Sequence, residues 1–214
     1  QIYKNLKLRG DRIIKISRSN KNEKNKMIFE IGKDNNEKLI NMISGKFNYL
    51  IFAHRYRGSN AIEEYKIMVT EIEKIIKILA PKFKKEASIV IIGSNASKFV
   101  HSEQNGNYHY VRAAIEILIK YLAVQYGKKG IRINSVMPST ILKKENIKYF
   151  NKEKKLVNIV KKITPLNRIG TAKDISNVIE FLCSEKSSFI TGQSLTVDGG
   201  ESLIGQESVA KLFN

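Results

Sequence analysis

Two rhythms of hydrophobic and polar positions alternate along the chain. Short, β-branched apolar runs bounded by polar residues recur as DRIIKIS (11–17), KMIFEIG (26–32), FNYLIFA (47–53), ASIVIIG (87–93), IRINSVM (131–137) and SLTVDGG (194–200). Continuous apolar runs of this length predict strands buried on both faces. Between them, apolar residues return at helical spacing in 62–83, 107–127 and 171–185. Gly127 suits the end of the second helix. Thr171, with Asp174 three residues on, is placed to cap the third. Strand–helix alternation predicts an α/β fold, a doubly wound parallel sheet with helices on both faces, in one domain spanning 1–214. No linker, repeat or low-complexity tract interrupts it.

In such a sheet, ligands bind outside the carboxyl ends of the strands. Ser94 follows one predicted strand directly, Ser139 and Thr140 follow another, and Tyr108 opens the helix between them. Residues four apart on a helix lie one above the other, so Arg112 is expected beside Tyr108, facing the cleft. A phenol, with a pKa of about 10, exchanges protons poorly at neutral pH unless a nearby cation favours its anion. A positioned hydroxyl can stabilise a developing alkoxide. Taken singly, Tyr108 also reads as a helix-start aromatic and Ser94 as an ordinary turn residue.

The formal net charge is +18. The lysines are dispersed among Asn, Ile and Glu, as in NKNEKNK (20–26), which reads as solvated surface; nucleic acid is not an expected partner. No zinc-finger spacing or aromatic–basic RNA motif is present. His101 and His109 lack metal-ligand partners at useful spacing and read as loop and helix surface, so no metal is expected. No run of about 18 apolar residues predicts a membrane span. A single cysteine, Cys183, reads as a buried helix thiol in a reducing compartment, and with no signal-peptide pattern a cytoplasmic location is expected.

The segments SIVIIGSNAS, YHYVRAAIEILIKYLAVQYGKKGIRINSVMPSTI and PLNRIGTAKDISNVIEFLCSEKSSFITGQSLTVDGGES together resemble the short-chain dehydrogenase/reductase family. The likeness runs from about residue 1 to 202 and is densest over 87–200. IRINSVMPS is similar to the family's IRVNxVxPG, and SSFITGQSLTVDGG to its closing strand. The resemblance implies a Rossmann-like dinucleotide-binding domain and an NAD(P)-dependent oxidoreductase that reduces a carbonyl or oxidises an alcohol by hydride transfer. It gives Tyr108 the place of the general acid/base in YxxxK. Ser94, fourteen residues upstream, takes the place of the serine that hydrogen-bonds the substrate oxygen. Arg112 takes that of the lysine that contacts the nicotinamide ribose. Pro138, Ser139 and Ile141 match the PGxI segment behind the nicotinamide, and Glu30 and Ile31 the pair that flanks adenine. The cofactor is NADP or NAD; Ser17 stands where an NAD-selecting acid would, and Arg18 can pair with a 2′-phosphate, which favours NADP. A small-molecule carbonyl or alcohol substrate is implied, held under the segment after Pro138, whose lysines suit an anionic or sugar-like molecule. The resemblance also implies a homodimer or homotetramer built through the two long helices.

Three positions depart from the family pattern. FAHR (Phe52–Arg55) replaces NNAG. Near the place of the proton-relay asparagine stand Glu71 and Ile72. Arginine replaces the lysine, keeping the charge but unable to release a proton. A catalytically weak or inactive relative that binds a nucleotide or a partner therefore stands as the alternative. The family's opening strand and TGxxxGxG loop have no counterpart here; the chain starts within the helix that follows that loop, and Gly10 ends it. The strands at 11–17 and 47–53 are expected to flank a vacant slot, with roughly twenty residues missing ahead of Gln1.

Overall fold

The structure is a computed structural model that describes residues 1–18 and 26–213; most of the lysine-rich run 20–26 lies outside them. Its centre is a parallel ladder of β3 (Phe47–Phe52), β4 (Phe83–Ile92), β5 (Arg132–Pro138) and β8 (Ser194–Val197), in that spatial order. Leu50 pairs with Ile89, Ile89 with Ile133, and Val136 with Leu195. A separate parallel pair joins β1 (Lys15–Ser17) to β2 (Lys26–Ile28). Among the described residues β1 and β3 do not pair, so β1–β2 stands as a sheet apart from the four-stranded ladder. The predicted α/β class holds. β1 and β2 are shorter than their apolar runs, because a strand extends only as far as a partner takes its hydrogen bonds.

Side chains alternate across β4. Ile89 and Ile91 enter the larger core, with Ile133 and Phe52, under the helical run Ala61–Leu79 and α5 (Gly106–Gly127). That run is α3 (Ala61–Tyr65), a π turn (Lys66–Thr70) and α4 (Glu71–Leu79). Val90 and Val136 face the opposite side, against Ile175, Ile179 and Leu182 of α8 (Ala172–Leu182). The short α1 (Ile2–Leu8) lies on that same side, where Asn5 Nδ2 donates to Ser176 Oγ at 3.1 Å. Gly10 ends α1 as expected: at φ +95° its amide bonds the Lys7 carbonyl while that of Asp11 bonds Leu6, a closing pair that needs a left-handed residue. α2 (Asn36–Met42) is the other helix among the described residues before β3.

The segment after Pro138 is not a bare loop. It holds β6 (Ile141–Leu142), α6 (Ile147–Lys152) and α7 (Lys154–Ile163), and β6 pairs with β7 (Gly170–Thr171). A groove beside α6 and α7 is lined by Phe150, Lys154, Val157 and Lys161, and none of Ser94, Tyr108 or Arg112 borders it. A last short helix, α9 (Gln206–Lys211), closes the described chain.

Thr171 and Asp174 form a full capping box at the start of α8, and Arg168 holds both Asp174 oxygens at 2.8 Å. Those hydrogen bonds, with help from Thr171, keep the Asp174 carboxyl well below the usual carboxylate range. The stabilisation is therefore present above the unfolded pKa of about 3.9 and is lost as pH falls through the lower folded value. Asp174→Asn should cost about 1 kcal/mol at neutral pH, and in urea unfolding the gap to wild type should close as pH drops through the carboxylate range. Cys183, fully buried at the end of α8, has its thiol pushed up to about 12 by burial. A thiol reagent at neutral pH should label it only after urea unfolding; rapid labelling of the folded protein would contradict this packing.

Candidate active site

The ladder runs one step beyond β4, where the Gly93 amide donates to the Val136 carbonyl at 2.9 Å. A Cβ at Gly93 would meet the Met137 thioether, so a larger residue there requires that buried side chain to shift. Ser94 then turns the chain: its Oγ accepts from the Ala96 amide at 3.2 Å and opens a 3₁₀ turn over Asn95–Ser97. Asn105 caps α5 by accepting from the Tyr108 amide at 3.1 Å, which puts Tyr108 in the first helical turn.

His109 is not the surface residue that its sequence position suggests. It is buried, its Nδ1 lies 2.9 Å from the Ala96 carbonyl, and its Nε2 accepts from the His101 amide at 3.3 Å. With both ring nitrogens satisfied by backbone, the imidazole can leave water. It ties the turn after Ser94 to the start of α5. His101, half-buried, stacks on it with ring centroids 5.9 Å apart.

Arg112 is turned inward and is only 4% exposed. Its guanidinium carbon lies 4.5 Å from the centroid of the Tyr108 ring. Nη2 is 3.5 Å from Glu64 Oε1, and among the described residues Nη1 is buried without a hydrogen-bond partner. His54, half-buried just past β3, reaches the Ile67 carbonyl within the π turn at 3.4 Å. Burial, and secondarily the Arg112 charge, lower its pKa, so at neutral pH the imidazole is uncharged. One buried ion pair thus stands beside a phenol, with a neutral imidazole near it.

Glu64 is the residue that reading the chain missed. Glu71 points elsewhere, toward Asn36 and Lys74, and Ile72 is core. A regular helix through 61–79 would set Tyr65, seven residues before Ile72, on the core face. The π turn adds one residue, rotating the preceding turn by about 100°. Glu64 then faces inward at 7% exposure and Tyr65 outward.

The other expected site residues lie at strand ends. Pro138 is buried as the last residue of β5, Ser139 is half-buried, and Ile141 begins β6 and packs against the α8 cluster. Arg18 is exposed immediately after β1. Glu30 and Ile31 follow β2; Glu30 pairs with Lys33 at 3.1 Å and Ile31 packs on the larger core. The next residue, Gly32, accepts from Lys66 Nζ at 3.3 Å, so this corner adjoins the π turn. Among the described residues no group of three or more His, Cys, Asp or Glu side chains is placed to hold a metal, and no helix is long and apolar enough to cross a membrane.

A family model described as enoyl-(acyl carrier protein) reductase matches residues 63–202. A tropinone reductase homolog from Arabidopsis thaliana is 35% identical over 191 residues, 81% of this chain and 70% of that protein. Glucose 1-dehydrogenase from Gluconobacter oxydans is 31% identical over 116 residues, 54% of this chain and 43% of that one. The ligand-free aldohexose dehydrogenase of Thermoplasma acidophilum superposes with a TM-score of 0.83 at 22% identity, covering 96% of this chain and 89% of that one, which shows a shared fold. Sequence match and parallel-sheet architecture agree: the chain belongs to the short-chain dehydrogenase/reductase family of NAD(P)-dependent oxidoreductases.

Proposed function

We propose that residues 1–214 form one dinucleotide-binding domain that interconverts a carbonyl and an alcohol, with Tyr108 as general acid/base. One observation carries this reading: a guanidinium buried over the Tyr108 ring, with an unspent donor at Nη1. A buried donor left unpaired costs about 1–3 kcal/mol, so Nη1 fits a ligand hydroxyl such as that of the nicotinamide ribose. NADP or NAD, when bound, supplies or accepts the hydride. Arg112 would hold its ribose, Pro138, Ser139 and Ile141 would back the nicotinamide, and Glu30 and Ile31 would flank adenine. Arg18, exposed directly after β1, would pair with a 2′-phosphate, which favours NADP.

In the reducing direction, the Tyr108 hydroxyl gives its proton to the substrate oxygen. The Ser94 oxygen already accepts from Ala96, so its own O–H remains free to donate to that same oxygen as charge develops. Arg112 keeps its proton, so it acts as a fixed charge, and the proton that reloads Tyr108 comes through hydroxyls and water. The exposed lysines around α7 suit an anionic or sugar-like substrate. Along α5 the exposed Tyr110, Ile117, Tyr121 and Val124 share one face, which supports a homodimer or homotetramer. The single buried thiol suits a cytoplasmic location.

A second reading is a relative that binds nucleotide without turnover. The non-dissociating Arg112 and the neutral His54, standing in FAHR where the family has NNAG, favour it. Titration of NADPH fluorescence followed by turnover on a panel of carbonyls separates the two; binding without turnover on every substrate supports the second, and no binding removes both.

Tyr108→Phe should lower turnover by about 10²-fold or more, the range for a lost general acid, while NADPH binding persists. Retained activity places the chemistry elsewhere. NADPH should bind about tenfold or more tightly than NADH, as a charge-assisted arginine–phosphate pair predicts. Arg18→Ala should erase that preference; equal affinities in wild type would count against the assignment of Arg18.

A further inference from the structure

A guanidinium out of water needs a counter-charge and a fixed orientation. Lysine is a compact charge with donors that rotate, whereas arginine presents a planar fork that must be turned correctly. At Arg112 two contacts fix that plane and leave one donor over. The Tyr108 ring covers one face, Glu64 takes Nη2, and Nη1 is left buried and unpartnered. Glu64 reaches this position only because the π turn over Lys66–Thr70 rotates α3. Asn60, the cap of α3, bonds the Glu63 amide at 3.0 Å and holds that turn in place. A carboxylate 7% exposed is itself costly unless paired, so the two groups stabilise each other's burial.

We infer that Glu64 is the positioning residue for Arg112: it anchors Nη2 and offsets the buried charge, so that Nη1 is presented to the cofactor ribose where the family uses lysine. This deepens the reading above and rests on it for the identity of the ligand. The pairing itself stands on the geometry alone.

The test uses the intact protein and two readouts, NADPH fluorescence titration with steady-state kinetics, and urea unfolding. Glu64→Leu should weaken NADPH binding about tenfold and lower kcat. Glu64→Gln, whose amide oxygen still accepts from Nη2, should recover most of the affinity. With Arg112→Met already present, Glu64→Leu should change affinity no further, and the double variant should be more stable than either single one, as expected when a buried pair is replaced whole rather than halved. Should Glu64→Leu fail to fold, Glu64→Asp keeps the charge but withdraws the carboxylate by one methylene, and should still weaken NADPH several-fold. Full affinity and kcat in Glu64→Leu, or in that event Glu64→Asp, with loss of stability alone, would reduce Glu64 to a structural role and overturn the inference. If wild type binds no NADPH, the cofactor reading fails instead, and the stability cycle still judges the pair: additive losses overturn it, and a rescued double variant upholds it.

Discussion

Ile89, Val90 and Ile91 of β4 are wholly removed from water, two toward one helical layer and one toward the other. A strand with no wet face must have every backbone group paired and both sides covered. The neighbours β3 and β5 run parallel to it, so every connection has to cross from one end of the ladder back to the other. The chain leaving β4 at Ser94 therefore returns through α5, and the first turns of α5 stand beside the carboxyl ends of the strands. Tyr108 and Arg112 are where they are because a buried parallel ladder leaves no shorter route.

That placement creates an electrostatic problem. Arg112 is buried near the start of α5, which draws its charge out of bulk water. Three neighbours answer it differently. Tyr108 offers a ring face, Glu64 a carboxylate, and His54 stays neutral and hydrogen-bonds the π turn instead of adding a second cation. The irregular turn in the helix and the arginine belong to one arrangement, since a regular helix would offer Tyr65 in place of the counter-charge.

The edge of the sheet is also held from outside. His109 clamps the turn after Ser94 to α5 through two backbone groups, while the Thr171 capping box fixes the start of α8 beneath β6 and β7. These polar ties are short-range and fully satisfied, which is what lets the loops at the strand ends keep a defined shape without packing as tightly as the core.

The chain's own pattern determined the class of fold, since period-two and period-3.6 apolar runs each encode which side of an element leaves water. Ladder strands at 47–52 and 132–138, helices at 106–127 and 172–182, the Thr171–Asp174 cap and the stacking of Arg112 on Tyr108 all depend on residues within a few positions of one another. Tertiary structure alone decided the rest. The apolar runs 11–17 and 26–32 stop short as strands, the segment after Pro138 coils into α6 and α7, and His109 is buried rather than exposed. The counter-charge of Arg112 lies 48 residues away in sequence, delivered by a one-residue shift in helical register. A residue's local pattern states which face it prefers; which distant group waits on that face is settled only when the layers close over β4.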